Sequence, residues 1–104
     1  MIVLDFTKVD KQGRVSLSDF LAPGDRVLFF VVRSEEAIRL KKLSENENPH
    51  GKIASVDSKG RVIIPASYRW FFCINEGTRF EVGYDEEEAV VTLIFSPSDA
   101  APAE

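Results

Sequence analysis

Seven residues, Val9-Asp10-Lys11-Gln12-Gly13-Arg14-Val15, return 47 positions later as Val56-Asp57-Ser58-Lys59-Gly60-Arg61-Val62, with five of the seven identical. Self-similarity of this kind marks two units of one supersecondary pattern, and a unit of fewer than 50 residues is too small to bury its own apolar face. Further along, Gly24-Asp25-Arg26-Val27 aligns with Gly77-Thr78-Arg79-Phe80 at an offset of 53, and Leu40 reaches Leu93 at the same offset. The chain is therefore two copies of one pattern, and the first is six residues shorter.

The missing residues fall between Arg14 and Gly24. The second copy holds Ile64-Pro65-Ala66-Ser67-Tyr68-Arg69-Trp70-Phe71-Phe72-Cys73 there, against Leu17-Ser18-Asp19-Phe20-Leu21-Ala22 in the first. Pro65 suits a first helical position, and Tyr68, Phe71 and Phe72 at i, i+3, i+4 form an apolar stripe, so the segment predicts a helix of about two turns. In the first copy that helix is expected to be shortened or gone.

Around this segment both copies read as strands. Phe6 to Val9 and Ile53 to Val56 lead into turns at Gly13 and Gly60, and Val15 to Leu17 and Val62 to Ile64 follow. Arg26 to Val32 and Arg79 to Tyr84 are rich in β-branched and aromatic residues, and Ala37 to Leu43 and Ala89 to Phe95 close the copies. Ser34-Glu35-Glu36-Ala37 could cap a helix, but the alignment of Leu40 with Leu93 favours a strand. Each copy is thus β-β-(α)-β-β, a mainly β class with one or two short helices. Exposed apolar faces and unpaired edges are expected to drive the copies together into a pseudo-symmetric barrel. Residues 1–95 then make one domain: a degenerate first repeat (1–43), a polar linker (44–51) and a second repeat (52–95). A Pro- and Ala-rich disordered tail (96–104) follows.

Composition narrows the function classes. With 104 residues, 44% of them hydrophobic and 29% charged, the chain reads as globular. The single Cys73 excludes an internal disulfide, and no apolar run approaches the roughly 18 residues needed to span a bilayer. A cytoplasmic protein is expected. Catalysis lacks its parts: His50 sits in the linker, and Cys73, read as a small core residue, has no neighbouring base. No metal site, cofactor or small-molecule substrate is expected, and the reading is of a protein that is not an enzyme.

The net charge is −4 and the isoelectric point is near 5.0, yet Lys8, Lys11, Arg14, Lys52, Lys59 and Arg61 gather around the repeated segments. Each segment carries Asp-x-x-x-Arg. A bend at Gly13 or Gly60 brings Asp10 to Arg14 and Asp57 to Arg61, either as a hairpin-fixing ion pair or as an Asp orienting an Arg toward phosphate or a base edge. Arginine suits the second role because its planar fork bonds two acceptors at once.

The string Val56 to Pro65, continuing through Arg69 to Ile74, Gly77, Phe80-Glu81-Val82 and Leu93, resembles the SpoVT/AbrB swapped-hairpin (looped-hinge-helix) DNA-binding domain. Two copies in one chain are similar in arrangement to the tandem-repeat MraZ members of that superfamily. The resemblance implies a swapped-hairpin, double-psi-like β-barrel that binds double-stranded DNA as a transcriptional regulator associated with the nucleoid. Lys11, Arg14, Lys59, Arg61, Arg69 and Lys8 would be its DNA-contacting residues, with Asp10, Asp57, Gly13 and Gly60 orienting the hairpins. The first copy departs from the pattern, with Ser18 in place of Pro65, Gln12 in place of Lys59 and no counterpart of Arg69. Glu76 stands where the family usually has Pro. A homodimer or larger assembly is expected, because paired half-sites multiply weak contacts. The competing reading is an antitoxin-like or protein-interaction barrel with weak or lost DNA binding.

Overall fold

Period-two alternation shows first in the two shortest strands. Arg14-Val15-Ser16 and Arg61-Val62-Ile63 each bury only the middle residue, so each presents one face inward and one outward. A computed structural model describes residues 3–32 and 37–95. The first copy forms β1 (Val3–Lys8), β2 (Arg14–Ser16), β3 (Arg26–Val32) and β4 (Ala37–Leu43). The second forms β5 (Lys52–Ser55), β6 (Arg61–Ile63), α1 (Ala66–Phe71), β7 (Arg79–Asp85) and β8 (Val90–Phe95). Among the described residues the protein is mainly β with one short helix, and Ala37–Leu43 is a strand. Residues 33–36 and the expected disordered tail at 96–104 lie outside the described residues.

Pairing is interleaved. A six-stranded antiparallel sheet runs β1-β7-β8-β4-β3-β5, and β2 pairs with β6 in a separate two-stranded ribbon. Among the described residues, the strand ladders within a copy are the hairpins β3–β4 and β7–β8. The β1–β7, β3–β5, β4–β8 and β2–β6 ladders all join one copy to the other. Lys8 opposite Arg79 has its counterpart in Ser55 opposite Arg26, and Val15 lies opposite Val62, its own equivalent. A pseudo-twofold axis therefore passes between Val15 and Val62. The large sheet is open, with β1 and β5 as its edges.

Val15, Val62, Leu17 and Ile64 turn inward from the ribbon and its extensions to meet Val27, Phe29, Ile38, Leu40, Phe80, Val82, Val91 and Leu93 from the sheet. Burying Phe80 fully is worth about 2–3 kcal/mol relative to leaving it in water. Each copy adds an aromatic stopper at one end of this core. Tyr68 and Phe72 reach Phe29 and Phe95 at ring-centroid distances of 6.0 and 5.5 Å, while Phe20 of the shorter copy meets Tyr84 at 5.5 Å. Three details of the helical segment differ from expectation. Pro65 precedes α1 as its N-cap residue instead of opening it. Phe71 leaves the stripe and is 67% exposed, because Tyr68 and Phe72 already fill the available core surface. Cys73 is exposed and takes a left-handed conformation (φ 57°) just after the helix, so it is not a core residue. In the first copy, 18–20 form a turn with no helix.

The linker has to cross β3, since β4 and β5 flank that strand on opposite sides. Arg26 holds it on the way. Its Nη2 donates to the carbonyls of Ser44, Glu45 and Glu47 at 3.0, 3.3 and 2.7 Å, and its Nη1 to Asn48 Oδ1 at 3.1 Å. One guanidinium thus satisfies several carbonyls of a segment that has no ladder of its own.

Two outcomes follow from this architecture. Cut within 45–47, the two halves are each unfolded alone and recover β-sheet circular dichroism only when mixed, because most ladders lie between them. Gly13→Ala and Gly60→Ala both meet a left-handed backbone (φ 80° and 79°), a cost of about 1–2 kcal/mol. At Gly60 the added Cβ would also lie 2.5 Å from Ser18 Cβ and 2.7 Å from its Cα, whereas at Gly13 it meets only the movable end of Arg69. Urea denaturation is expected to show Gly60→Ala as the costlier by a further ~1–3 kcal/mol.

Candidate functional site

Each Asp-x-x-x-Arg segment closes a bend by the same set of bonds. The Asp10 N–H donates to the Arg14 carbonyl at 2.9 Å and the Gly13 N–H to the Asp10 carbonyl at 3.1 Å; the second bend repeats both, from Asp57 to Arg61 and from Gly60 to Asp57, at 2.9 and 3.1 Å. Asp10 Oδ1 accepts the backbone N–H groups of Gln12 and Arg14 at 2.9 Å, and Oδ2 accepts Arg14 Nε at 2.8 Å. Asp57 Oδ1 accepts Lys59 N–H and Arg61 N–H at 2.9 and 2.8 Å, and Oδ2 accepts Arg61 Nε at 2.9 Å. One carboxylate in each bend both holds the Arg side chain and fixes the turn, so the hairpin-fixing ion pair is present in both copies.

The β2–β6 ladder brings the two bends together. Arg14 lies opposite Ile63 and Arg61 opposite Ser16, all on the outward face, while Val15 and Val62 point into the core. The Leu17 N–H donates to the Gly60 carbonyl and the Ile64 N–H to the Gly13 carbonyl, both at 2.9 Å, so each bend is bonded to the opposite strand. Arg14 Nη1 comes within 4.0 Å of Asp57 Oδ2, the oxygen that also takes Arg61 Nε. The two guanidinium groups therefore converge on one carboxylate. The formal charges of Asp10, Arg14, Asp57 and Arg61 cancel, and the positive excess comes from Lys11 and Lys59, both exposed on the bends.

The remaining predicted residues flank this cluster. Lys8 lies on the edge strand β1 opposite Arg79. Arg69 is half-buried: its Nε donates to the Ile64 carbonyl at 2.9 Å and its guanidinium end covers Gly13, so the first bend is backed by the helix. At the corresponding place beside Gly60 the shorter first copy leaves an open groove of about 510 Å³, lined among others by Ser18, Phe20, Pro23, Lys42 and Lys59.

Sequence reasoning missed two members of the site. Ile63 is 50% exposed on the ribbon's outward face, a position legible from strand alternation once Val62 is assigned to the core. Gln12 Oε1 accepts Arg14 Nη2 at 2.8 Å, a contact with no counterpart at Lys59. Among the described residues, no group of three His, Cys, Asp or Glu is placed to hold a metal ion, and no helix is long and apolar enough to cross a membrane. Compared with protein-family models, with curated proteins and with solved structures, the chain matches none.

Asp10 and Asp57 titrate below the ordinary carboxylate range. The largest cause is the backbone N–H of Arg14 or Arg61 bonded to the charged form, offset in part by desolvation and reinforced by the remaining N–H donors and the guanidinium. A depressed folded pKa means that each carboxylate stabilises the fold above its unfolded pKa, and that this contribution is lost as pH falls through the folded value. Carboxyl-carbon NMR is expected to show both groups titrating below an ordinary aspartate, with the Gly13 and Gly60 amide signals shifting together with them.

Proposed function

We propose that the chain binds duplex DNA without catalysis, as an AbrB/MraZ-like transcriptional regulator, through the outward face of the β2–β6 ribbon and its two bends. One observation carries the reading: antiparallel pairing of β2 with β6 sets both Asp–Arg pairs on a single exposed face. A two-stranded β-ribbon has the dimensions of the B-DNA major groove, and arginine bonds guanine O6 and N7 with its fork. Bends closed by their own Asp side chains are preorganised, so little side-chain freedom remains to be lost on binding. Lys11 and Lys59 meet phosphates on either side, with Lys8 and Arg69 as flanking basic groups. The acidic run Asp85-Glu86-Glu87-Glu88 belongs to the β7–β8 turn and places no carboxylate on the ribbon strands, whose bends carry Lys11 and Lys59, so the net −4 is compatible with a locally attractive ribbon face.

In this reading the sheet and the ribbon together are the swapped-hairpin barrel, which acts in the cytoplasm on the nucleoid, and a homodimer or larger assembly supplies further half-sites. A mobility-shift titration at low and moderate salt tests it. Binding is expected to weaken steeply with salt, and Lys11→Ala with Lys59→Ala to reduce the log–log salt slope by about 2. Arg14→Ala with Arg61→Ala is expected to abolish preference among sequences. Absence of retardation of any duplex at low salt, or retardation unchanged in the double arginine variant, would falsify the reading in favour of a barrel that binds proteins or has lost DNA binding.

A further inference from the structure

The pseudo-twofold axis between Val15 and Val62 makes Ser16 and Ile63 equivalent positions, and they are chemically unlike. Each lies across the ladder from the other copy's arginine. One end of the outward face therefore presents Arg14 with Ile63, and the other presents Arg61 with Ser16. The bends differ in the same sense. Arg14 is held by Asp10 and by Gln12, whereas Lys59 offers no acceptor to Arg61. Ile63 also contributes little to the core: Val62 and Ile64 on either side of it are buried, while Ile63 itself is half in solvent on a face otherwise made of Arg and Ser.

Resting on the DNA-binding reading, we propose that one chain reads a non-palindromic duplex element, with Ile63 as the specificity-determining residue that accepts a thymine. Two arginines related by the pseudo-axis each take a guanine. Beside the Arg14 guanine, the Ile63 side chain covers the C5-methyl group of a thymine, the apolar feature of the major-groove edge. Beside the Arg61 guanine, the Ser16 hydroxyl donates or accepts and so tolerates several bases. A twofold-symmetric reader would present identical ends and select an inverted repeat. This chain presents unlike ends. In an assembly of several chains the element is repeated, and each repeat stays asymmetric inside the footprint of one chain.

Selection from random duplexes with the full chain, followed by exchange of the selected dT for dU, tests this. The exchange removes a methyl group and leaves every hydrogen-bonding group in place. The enriched element is expected to be asymmetric within one footprint, and dU in its thymine half to weaken binding by about 3- to 10-fold. Ile63→Ser is expected to bind dT and dU duplexes equally and to select a more symmetric element, while Ser16→Ile adds thymine preference to the second half. Both positions are exposed, so urea midpoints are expected to match the unsubstituted protein. An element palindromic within one footprint, or equal binding of dT and dU duplexes by the unsubstituted chain, overturns this inference and leaves DNA binding standing. Failure to retain any duplex overturns both.

Discussion

Cross-copy hydrogen bonding is the constraint from which the rest of the molecule follows. β1 finds its partner in β7, β5 in β3, β2 in β6 and β4 in β8, so the unpaired backbone groups of one copy are satisfied by the other. Apolar burial obeys the same arrangement, since Val15 and Val62 are covered only when the ribbon closes over the sheet. A lone copy would keep just its hairpin, and an isolated hairpin is marginal in water. The Arg26 clamp fits this scheme: it fixes the segment that carries the chain across β3, so that the second copy arrives in register with the first.

The ribbon owes its exposed chemistry to the same pairing. Its inward valines are fixed by the core, which leaves the alternate positions, Arg14, Ser16, Arg61 and Ile63, with no choice but to face outward. Asp10 and Asp57 then hold the arginines without removing them from solvent: the side chains keep 22% and 29% of their surface exposed. Such a group is ordered in advance yet still able to exchange a partner, and local arrangement outweighs total charge in setting what such a face attracts.

Much of this was legible in the residues. The repeated Val-Asp-x-x-Gly-Arg-Val string located both bends, and the change of offset located the helix, because a bend and an insertion are local events with local signatures. The strand Ala37–Leu43 was legible only through its alignment with the second copy, since Ser34-Glu35-Glu36 mimics a helix start. Less legible were features set by tertiary competition. Phe71 has the spacing of a core residue and is displaced because Tyr68 and Phe72 occupy the surface it would need. Cys73 reads as apolar, but the chain turns sharply there to leave the helix. Arg26 matches Arg79 across the copies, but its hold on the linker left no sequence signal, as its carbonyl partners lie about 20 residues away and depend on where the linker crosses.

Joining the copies also changes how such a protein can vary. In an assembly of identical subunits, every replacement on the contact face arises twice, and both ends of that face must tolerate it together. Here each end has its own codons. Val15 and Val62 remain bound to one another by the core, while Ser16 and Ile63 are free to drift apart one at a time, so the tie that enforces equality in a true dimer is absent on the outer side of the same two strands.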